Sequence, residues 1–396
     1  MRKSMYFLIG IIFLFAQPLA IHAQSTNAGS RVYIEVSSGT SLNSVDSLID
    51  IYTEYRADSL RPAEKAILQS SKQLSKYSIP ADTIFSGSII ADEQRRKTLI
   101  KDMENRLDLI IVDASSETQI INRIEKDPYT ILDCYVITYF YYKDVSQAEN
   151  PDAPIDKSGF GTYHTLTFEK GVNGTIQLLT DEYDEGHLTN MRSSSYKAIE
   201  KDTEIQTFSQ SYNELGPGQS QLTSAAAGIG QYDNFSYWYE DHAITYYVME
   251  GIAYSDKYAL SYNPAYSNLN TSGGDCVNFA SQCFDAATRQ QCRNNSFKPY
   301  TAAWISSTSS INYWGSGNRG FRIACTPSKN YVSSGQFVYY DWDNKGGGNV
   351  FYHTAYCVGT DSSGVPIVNS HNKDYYHVRW NYGGANCTYA TCIIRG

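Results

Sequence analysis

Residues 273–284 read GGDCVNFASQCF, a glycine turn that runs directly into a helical pattern. The turn places Cys276 in the first turn of the helix and Asp275 where a side chain can cap it. The free N–H groups and partial positive charge at a helix start favour a thiolate and can hold an oxyanion. The stretch therefore predicts a helix that begins with a candidate nucleophile. Burial of Cys276 and Cys283 in an apolar stripe is the alternative.

Residues 350–371 read as two strands joined by the turn sequence TDSSG. A hairpin closed with Gly359 opposite Val365 would put His353 directly across from His371, with Cβ atoms about 5 Å apart. A thiol nucleophile needs a base, and the base needs a polar group that orients it. We therefore predict that His353 is the base of the cysteine and that His371 orients it.

The orienting residue stays open among three candidates. Asn369 would share the histidine face one diagonal away from His353. A one-residue slip of the hairpin would instead bring Asn372 opposite His353. His371, Asn369 and Asn372 are thus all retained.

The cysteine helix is followed by about five strands, at residues 333–342, in the two arms of the hairpin, at 375–381 and at 387–394. A helix packed on an antiparallel sheet is an α+β arrangement. Asp275, Gln282 and Trp304 are candidate substrate contacts near the nucleophile, and core packing is the alternative for the tryptophan.

The upstream chain has its own α+β pattern. A strand is predicted at 31–37 and helices at 42–60, 62–77 and 92–106, followed by strands at 107–112, 134–142, 163–169 and 174–179. Residues 206–232 are rich in Gln, Ser, Gly and Ala, which is typical of a linker. The pattern from 237 to about 262 is again helical. We predict an accessory domain at 31–205, a linker at 206–232 and a second domain at 233–396.

The N-terminus and the charge bear on location and partners. Residues 1–23 have a basic start, a short apolar run and small residues at the end, the pattern of a secretory signal peptide. The formal charge of -9 becomes -11 when Arg2 and Lys3 are removed. We expect a secreted, periplasmic or cell-surface protein with no membrane span after signal cleavage, and no nucleic-acid partner.

Eight cysteines are present, and seven of them lie between residues 276 and 396. In an exported protein this density predicts disulfides, with six cysteines available for three bridges if Cys134 and Cys276 stay free. Cys387 and Cys392 are close enough in sequence to suggest a local bridge. The C-x-x-C spacing of structural zinc sites is absent, so neither a metal nor a cofactor is expected.

The runs GDCVNFASQ (274–282), HTAYCVG (353–359) and His371-Asn372 resemble the bacterial "putative amidase domain" family over about residues 237–396. That family is similar to papain-like cell-wall cysteine hydrolases, including the CHAP group. The resemblance implies a papain-like fold with Cys276 as nucleophile, His353 as base and His371 as the third residue. More weakly, residues 31–205 resemble cystatin-like or nuclear-transport-factor-like accessory domains.

These observations predict an exported cysteine amidase or peptidase that cleaves an amide bond in peptidoglycan or another extracellular peptide through an acyl-enzyme. One alternative is a catalytically silent module that binds cell wall or a partner. Another is that Cys276 forms a disulfide. The oligomeric state is not indicated by the sequence.

Overall fold

The computed structural model describes residues 33–37, 42–62, 76–197 and 234–394, apart from residues 273, 318, 326–327 and 348–349. We call residues 33–197 the N-terminal segment and residues 234–394 the C-terminal segment. The predicted signal peptide and linker, and residues 63–75 of one predicted helix, lie outside the described residues.

The described residues of the N-terminal segment form two helices and six strands. They are β1 (Tyr33–Ser37), α1 (Val45–Asp58), β2 (Lys76–Pro80), α2 (Gly87–Arg106), β3 (Leu109–Lys126), β4 (Tyr129–Asp144), β5 (Asp156–Lys170) and β6 (Ile176–Glu182). Helix α2 starts where Ser86 Oγ accepts a hydrogen bond from the Ile89 N–H, a side-chain cap. The strands are longer than the sequence pattern predicted, because β3 and β4 continue far beyond their apolar runs.

The C-terminal segment contains four helices and eight strands among its described residues. They are β7 (Phe235–Tyr239), β8 (His242–Tyr246), α3 (Val248–Tyr258), α4 (Cys276–Ala287), α5 (Ala302–Ile305), α6 (Ser307–Gly315), β9 (Phe321–Cys325), β10 (Phe337–Asp341), β11 (His353–Thr360), β12 (Pro366–Ser370), β13 (Asp374–Arg379) and β14 (Thr388–Ile394).

The prediction of a helix from residue 237 is wrong for its first ten residues. They form the β7–β8 hairpin, in which Tyr237 pairs with Ile244. In β7, Tyr237 and Tyr239 are buried while Ser236 and Trp238 are exposed, which is the two-residue period of a strand. A dense run of aromatic residues fits the period of a helix as well as that of a strand, so the sequence pattern did not distinguish the two.

Ten of the described strands form one antiparallel sheet in the order β3-β4-β5-β13-β12-β11-β10-β14-β9, with β6 also paired to β5. The sheet crosses between the two segments at β5. The first half of β5 pairs with β13, where Gly161 lies opposite Asp374, and its second half pairs with β6. The predicted α+β class is confirmed at this level, as a mixed fold with a large antiparallel sheet.

The two faces of the sheet carry different cores. On one face, helix α4 packs Phe279, Cys283 and Phe284 into a cluster with Tyr356 of β11. On the other face, side chains of α2 such as Met103 join Ala355, Cys357 and other residues of the C-terminal segment in a second cluster. The N-terminal segment therefore contributes to the core behind the C-terminal sheet. The predicted domain boundaries stay predictions.

No helix among the described residues is long and apolar enough to span a membrane.

Candidate active site

Cys276 is the first residue of α4, as the sequence predicted, and its side chain is buried, with 6% exposure. Its sulphur is held by a backbone hydrogen bond with Thr354 of β11 and by the hydroxyl of Ser307 at the start of α6. Burial raises the pKa of the Cys276 thiol, and both hydrogen bonds act in the opposite direction by stabilising the thiolate. The helix start and the first residues of β11 thus enclose the sulphur between them.

Ser307 and Thr354 are residues that the sequence reasoning missed. The Thr354 hydroxyl donates to Ser307 Oγ at 2.9 Å, which leaves the Ser307 proton for the Cys276 sulphur. A serine in a run of serines and a threonine beside a histidine carry no distinctive sequence signal. Only the packing of α6 against β11 reveals their contact.

Asp275 occupies the N-cap position of α4, but its side chain makes no capping hydrogen bond, which corrects that expectation. Asp275 Oδ1 instead accepts hydrogen bonds from the Leu269 N–H at 2.9 Å and from Asn278 Nδ2 at 2.7 Å. The other oxygen, Oδ2, lies 2.7 Å from Nδ1 of His371. The Asp275 carboxylate therefore binds His371 instead of capping the helix.

His371 lies on the same face of the sheet as the cysteine helix. Its ring stacks on Phe279 of α4 with 3.9 Å between ring centroids, and Tyr262 flanks it at 4.3 Å. Nδ1 faces the Asp275 carboxylate, and Nε2 lies 2.7 Å from the carbonyl oxygen of Tyr258. Both ring nitrogens therefore face hydrogen-bond acceptors, a carboxylate on one side and a backbone carbonyl on the other.

A second carboxylate, Asp374 at the start of β13, lies close enough to His371 for their charges to interact. Burial raises the pKa of Asp374, while the charge of His371 and hydrogen bonds from Tyr135 and Tyr262 lower it. Tyr262 donates to Oδ1 and Tyr135 donates to Oδ2, each at 2.7 Å. Asp374 is another functional candidate that sequence reasoning missed. Its partner Tyr135 lies 239 residues away in the chain, so no sequence pattern links the two residues.

The predicted pairing of His353 with His371 is wrong. In the structure Gly359 pairs with Ile367, and after a bulge Tyr356 pairs with Asn369. A shift of one residue moves every side chain to the opposite face. His371 consequently shares a face with Asn369 and Tyr356, while His353 faces the other way.

His353 lies in an aromatic environment behind the sheet. Its ring centroid is 5.4 Å from that of Tyr340 and 5.5 Å from that of Trp342. Burial, and secondarily the charge of His187, lower the pKa of His353 from 6.5 to about 3. Its Nε2 is buried without a hydrogen-bond partner. The structure therefore does not bring the predicted base to the Cys276 sulphur, although the next residue, Thr354, contacts it.

The other candidates for orienting a base are engaged elsewhere. Asn369 Nδ2 donates to Ser255 at 3.0 Å and to Asp256 at 2.8 Å. Asn372 has a positive φ of 77° and lies against Gly274, just before the cysteine helix. Asn369 is therefore bound to helix α3, and Asn372 lies against the loop that precedes α4. Neither contact involves His353.

The predicted substrate contacts Gln282 and Trp304 are buried. Trp304 is fully buried, and its indole N–H donates to Asn278 Oδ1 at 2.9 Å, so its assignment to a cleft is wrong and the core alternative holds. Gln282 is 4% exposed and accepts a hydrogen bond from Tyr254 at 2.6 Å. Both side chains support helix α4 from within the protein.

None of the eight cysteines, all of which lie among the described residues, forms a disulfide, so the expected bridges are not found. Cys387 and Cys392 illustrate the reason. Strand β14 begins at residue 388, and about 13 Å of extended chain separates residues 388 and 392 at 3.3 Å per residue. That span exceeds the roughly 7 Å limit between the Cα atoms of a disulfide.

A cavity of about 270 Å³ lies beside the turn between β12 and β13. Asn372, Lys373 and Asp374 line it from the C-terminal segment. Tyr163 of β5 and Asp184 line it from the N-terminal segment. Because Asn372 also lies against Gly274, this cavity is close to the start of the cysteine helix.

A buried cysteine at a helix start, next to a histidine–carboxylate pair, provides the residue types of a nucleophilic hydrolase. Residues 245–394 match the family described as "Putative amidase domain", which confirms the resemblance seen in the sequence. This part of the chain is therefore similar to that family, whose description indicates an amidase-like hydrolase.

Among curated proteins, the chain is similar to "Uncharacterized protein YhbB" of Bacillus subtilis (strain 168), with 26% identity over 148 residues. The match covers 35% of this chain and 46% of the relative, so the chain spans less than half of that protein's length.

Among solved structures, the intermembrane space region of chloroplast protein ARC6 aligns with 36% of this chain and 95% of its own, at 8% identity and a TM-score of 0.23. A likeness this weak carries no argument about fold or function.

Proposed function

We propose that this protein is a cysteine-dependent amide hydrolase with a papain-like arrangement, which acts outside the cytoplasm on peptidoglycan or another extracellular peptide. The observation that carries the proposal is the enclosed Cys276 sulphur at the start of α4, with the Asp275–His371 pair beside it. The match of residues 245–394 to an amidase family supports the reaction class.

In the proposed reaction the Cys276 thiolate attacks the amide carbonyl carbon, and a carbon–sulphur bond forms as the carbon–nitrogen bond breaks. His371 gives a proton to the departing amine. Water then attacks the thioester, His371 takes the proton of that water, and the acid and the thiolate are released. Asp275 keeps the imidazole oriented and offsets its positive charge.

Geometry sets one requirement on this reaction. The Nε2–H of His371 is donated to the Tyr258 carbonyl, so it has to exchange that acceptor for the leaving amine when substrate binds. The cavity next to Asn372 is where we propose that substrate approaches, because it lies beside the start of the cysteine helix.

The test uses the full-length chain and purified peptidoglycan fragments that carry stem peptides, with products analysed by mass spectrometry. Cys276→Ala should abolish cleavage, whereas Cys283→Ala, on the same helix and also buried, should retain it. In parallel, iodoacetamide at alkaline pH should modify Cys276 ahead of the other six buried cysteines, while the exposed Cys325 is labelled in every sample. Cleavage that survives Cys276→Ala would rule out the proposed nucleophile.

A non-catalytic module that binds cell wall is the second candidate, and a specific observation favours it. Both ring nitrogens of His371 are engaged, and His353 faces away from Cys276. If the intact chain neither cleaves fragments nor alkylates at Cys276, but wild type and Cys276→Ala bind purified cell wall equally, the binding function replaces the hydrolase.

Export is a separate part of the proposal and rests on the pattern of residues 1–23. Expression of the full sequence in a bacterial host, followed by N-terminal sequencing of the mature protein, should give a chain that starts at Gln24. A cytoplasmic product that keeps Met1 would remove this part alone.

A further inference from the structure

Asp374 links the candidate site to the N-terminal segment. Its carboxylate is 2% exposed and accepts two hydrogen bonds of 2.7 Å, from Tyr262 in the loop after α3 and from Tyr135 of β4. Tyr135 is itself 6% exposed. Tyr135, from the N-terminal segment, is therefore buried together with Asp374 and hydrogen-bonded to it.

The path of the Tyr135 side chain depends on a glycine. Tyr135 lies on β4, and Asp374 lies on β13, with β5 between them. The side chain crosses β5 at Gly161, where an added Cβ would lie 1.9 Å from the tyrosine oxygen and 2.3 Å from the ring carbon that bears it. Gly161 is also the residue that pairs with Asp374. Only a residue without a side chain leaves this route open.

From Asp374 the contacts continue to the nucleophile. Tyr262, which donates to Asp374, has its ring 4.3 Å from the ring of His371. His371 in turn is bound to Asp275, the residue before Cys276. Tyr163 of β5 also interacts electrostatically with Asp374 and Asp275. Tyrosines from three elements thus lie around the charged groups next to His371, and two of these elements, β4 and β5, belong to the N-terminal segment.

We infer that Tyr135 is a positioning residue of the candidate active site: its hydroxyl, delivered across Gly161, fixes Asp374 and through Tyr262 fixes the His371 ring on Asp275. The inference deepens the proposed function and rests on it for its catalytic meaning. The N-terminal segment is then a structural part of the site, and not only a neighbour in the chain.

The physical expectation concerns the hydrogen bond between His371 and Asp275. Tyr135→Phe removes one donor to a buried carboxylate and leaves the ring that fills the space over Gly161. Asp374 and Tyr262 then lose part of their restraint, so the His371 N–H should open to solvent more often. A hydrogen bond to a charged group is strong enough for roughly a tenfold effect on this opening.

The experiment measures the imidazole N–H signals of the full-length chain labelled with ¹⁵N-histidine, with the His371 signal assigned by its loss in His371→Gln. We expect a low-field Nδ1–H signal whose exchange with water becomes roughly tenfold faster in Tyr135→Phe. Tyr139→Phe is the matched control, because Tyr139 lies on the same strand, crosses β5 at Gly159 and contacts β13 at Tyr376 instead of Asp374.

Asp374→Asn should reproduce the faster exchange, and the double variant with Tyr135→Phe should add little to it, since both changes break one chain of contacts. Equal exchange in wild type and Tyr135→Phe, or no protected signal in wild type, would overturn the inference. Alkylation of Cys276 on the same samples reports on the hydrolase proposal independently, so the two failures are distinguishable.

Discussion

The two faces of β11 present opposite chemistry from adjacent residues. Thr354 faces α4 and contacts the Cys276 sulphur, with His371 and its carboxylates nearby. His353 faces the core that the N-terminal segment helps to form, where aromatic rings surround it. The histidine adjacent to Thr354 in sequence is therefore a core residue, whereas His371, farther along the chain, is the one that pairs with the Asp275 carboxylate.

The comparison predicts its largest effect on catalysis. His371→Gln should lower the rate of fragment cleavage by about 10²–10⁴, the range for loss of a general acid–base group. His353→Gln should leave most activity in the protein that remains folded. Initial rates and thermal unfolding midpoints of both variants provide the check. A folded His353→Gln protein without activity, beside an active His371→Gln protein, would reverse the roles assigned to the two faces.

A smaller effect concerns stability and pH. Because the pKa of His353 falls to about 3 on folding, the unfolded chain binds a proton below its ordinary value of 6.5 and the folded chain does not. The contribution of His353 to stability is therefore fully present above pH 6.5 and declines on acidification towards pH 3, by roughly 1 kcal/mol for each pH unit. Denaturant unfolding at several pH values should show a shallower decline in His353→Phe. Parallel pH profiles for the two proteins would contradict the neutral assignment.

The smallest effect concerns the sulphur itself. Ser307→Ala removes a donor that stabilises the Cys276 thiolate, so the already raised pKa of the thiol should rise further. Iodoacetamide labelling of Cys276 at pH 8 should slow by roughly three- to tenfold. Ser310→Ala, also buried in α6 but bonded to Tyr339, should label at the wild-type rate. Equal rates in both variants would show that Ser307 does not act on the sulphur.

The sequence predicted secondary structure correctly where the pattern involves residues close together in the chain. The glycine turn before Cys276 and the apolar spacing after it predicted α4, which begins at that cysteine. The strands that follow were also placed correctly in kind, because each run of β-formers is bounded by turn residues.

The predicted pairing of the two hairpin strands failed because of a single extra residue. The bulge between Cys357 and Gly359 shifts the hairpin register and reverses the face of His353. Nothing in the run HTAYCVG signals a bulge, and the expected register gave a chemically attractive pair of histidines. Register depends on how both strands pack against α4 and α2, which is information outside the hairpin.

Prediction also failed where the partner is distant in the chain. The contact between Tyr135 and Asp374 joins residues 239 positions apart and depends on how β5 pairs with β13. Trp304 was placed in a cleft because an aromatic ring serves a binding site as well as a core, and only its complete burial distinguishes the two.

The divided pairing of β5 has a consequence for any shortened form of this protein. With residues 1–205 removed, β13 would lose the strand that pairs with residues 374–376 and would present unsatisfied N–H and C=O groups along an open edge. Such an edge is a template for a strand of another copy. The isolated C-terminal segment should therefore self-associate, both through this open edge and through the apolar face of the sheet that loses the side chains of α2.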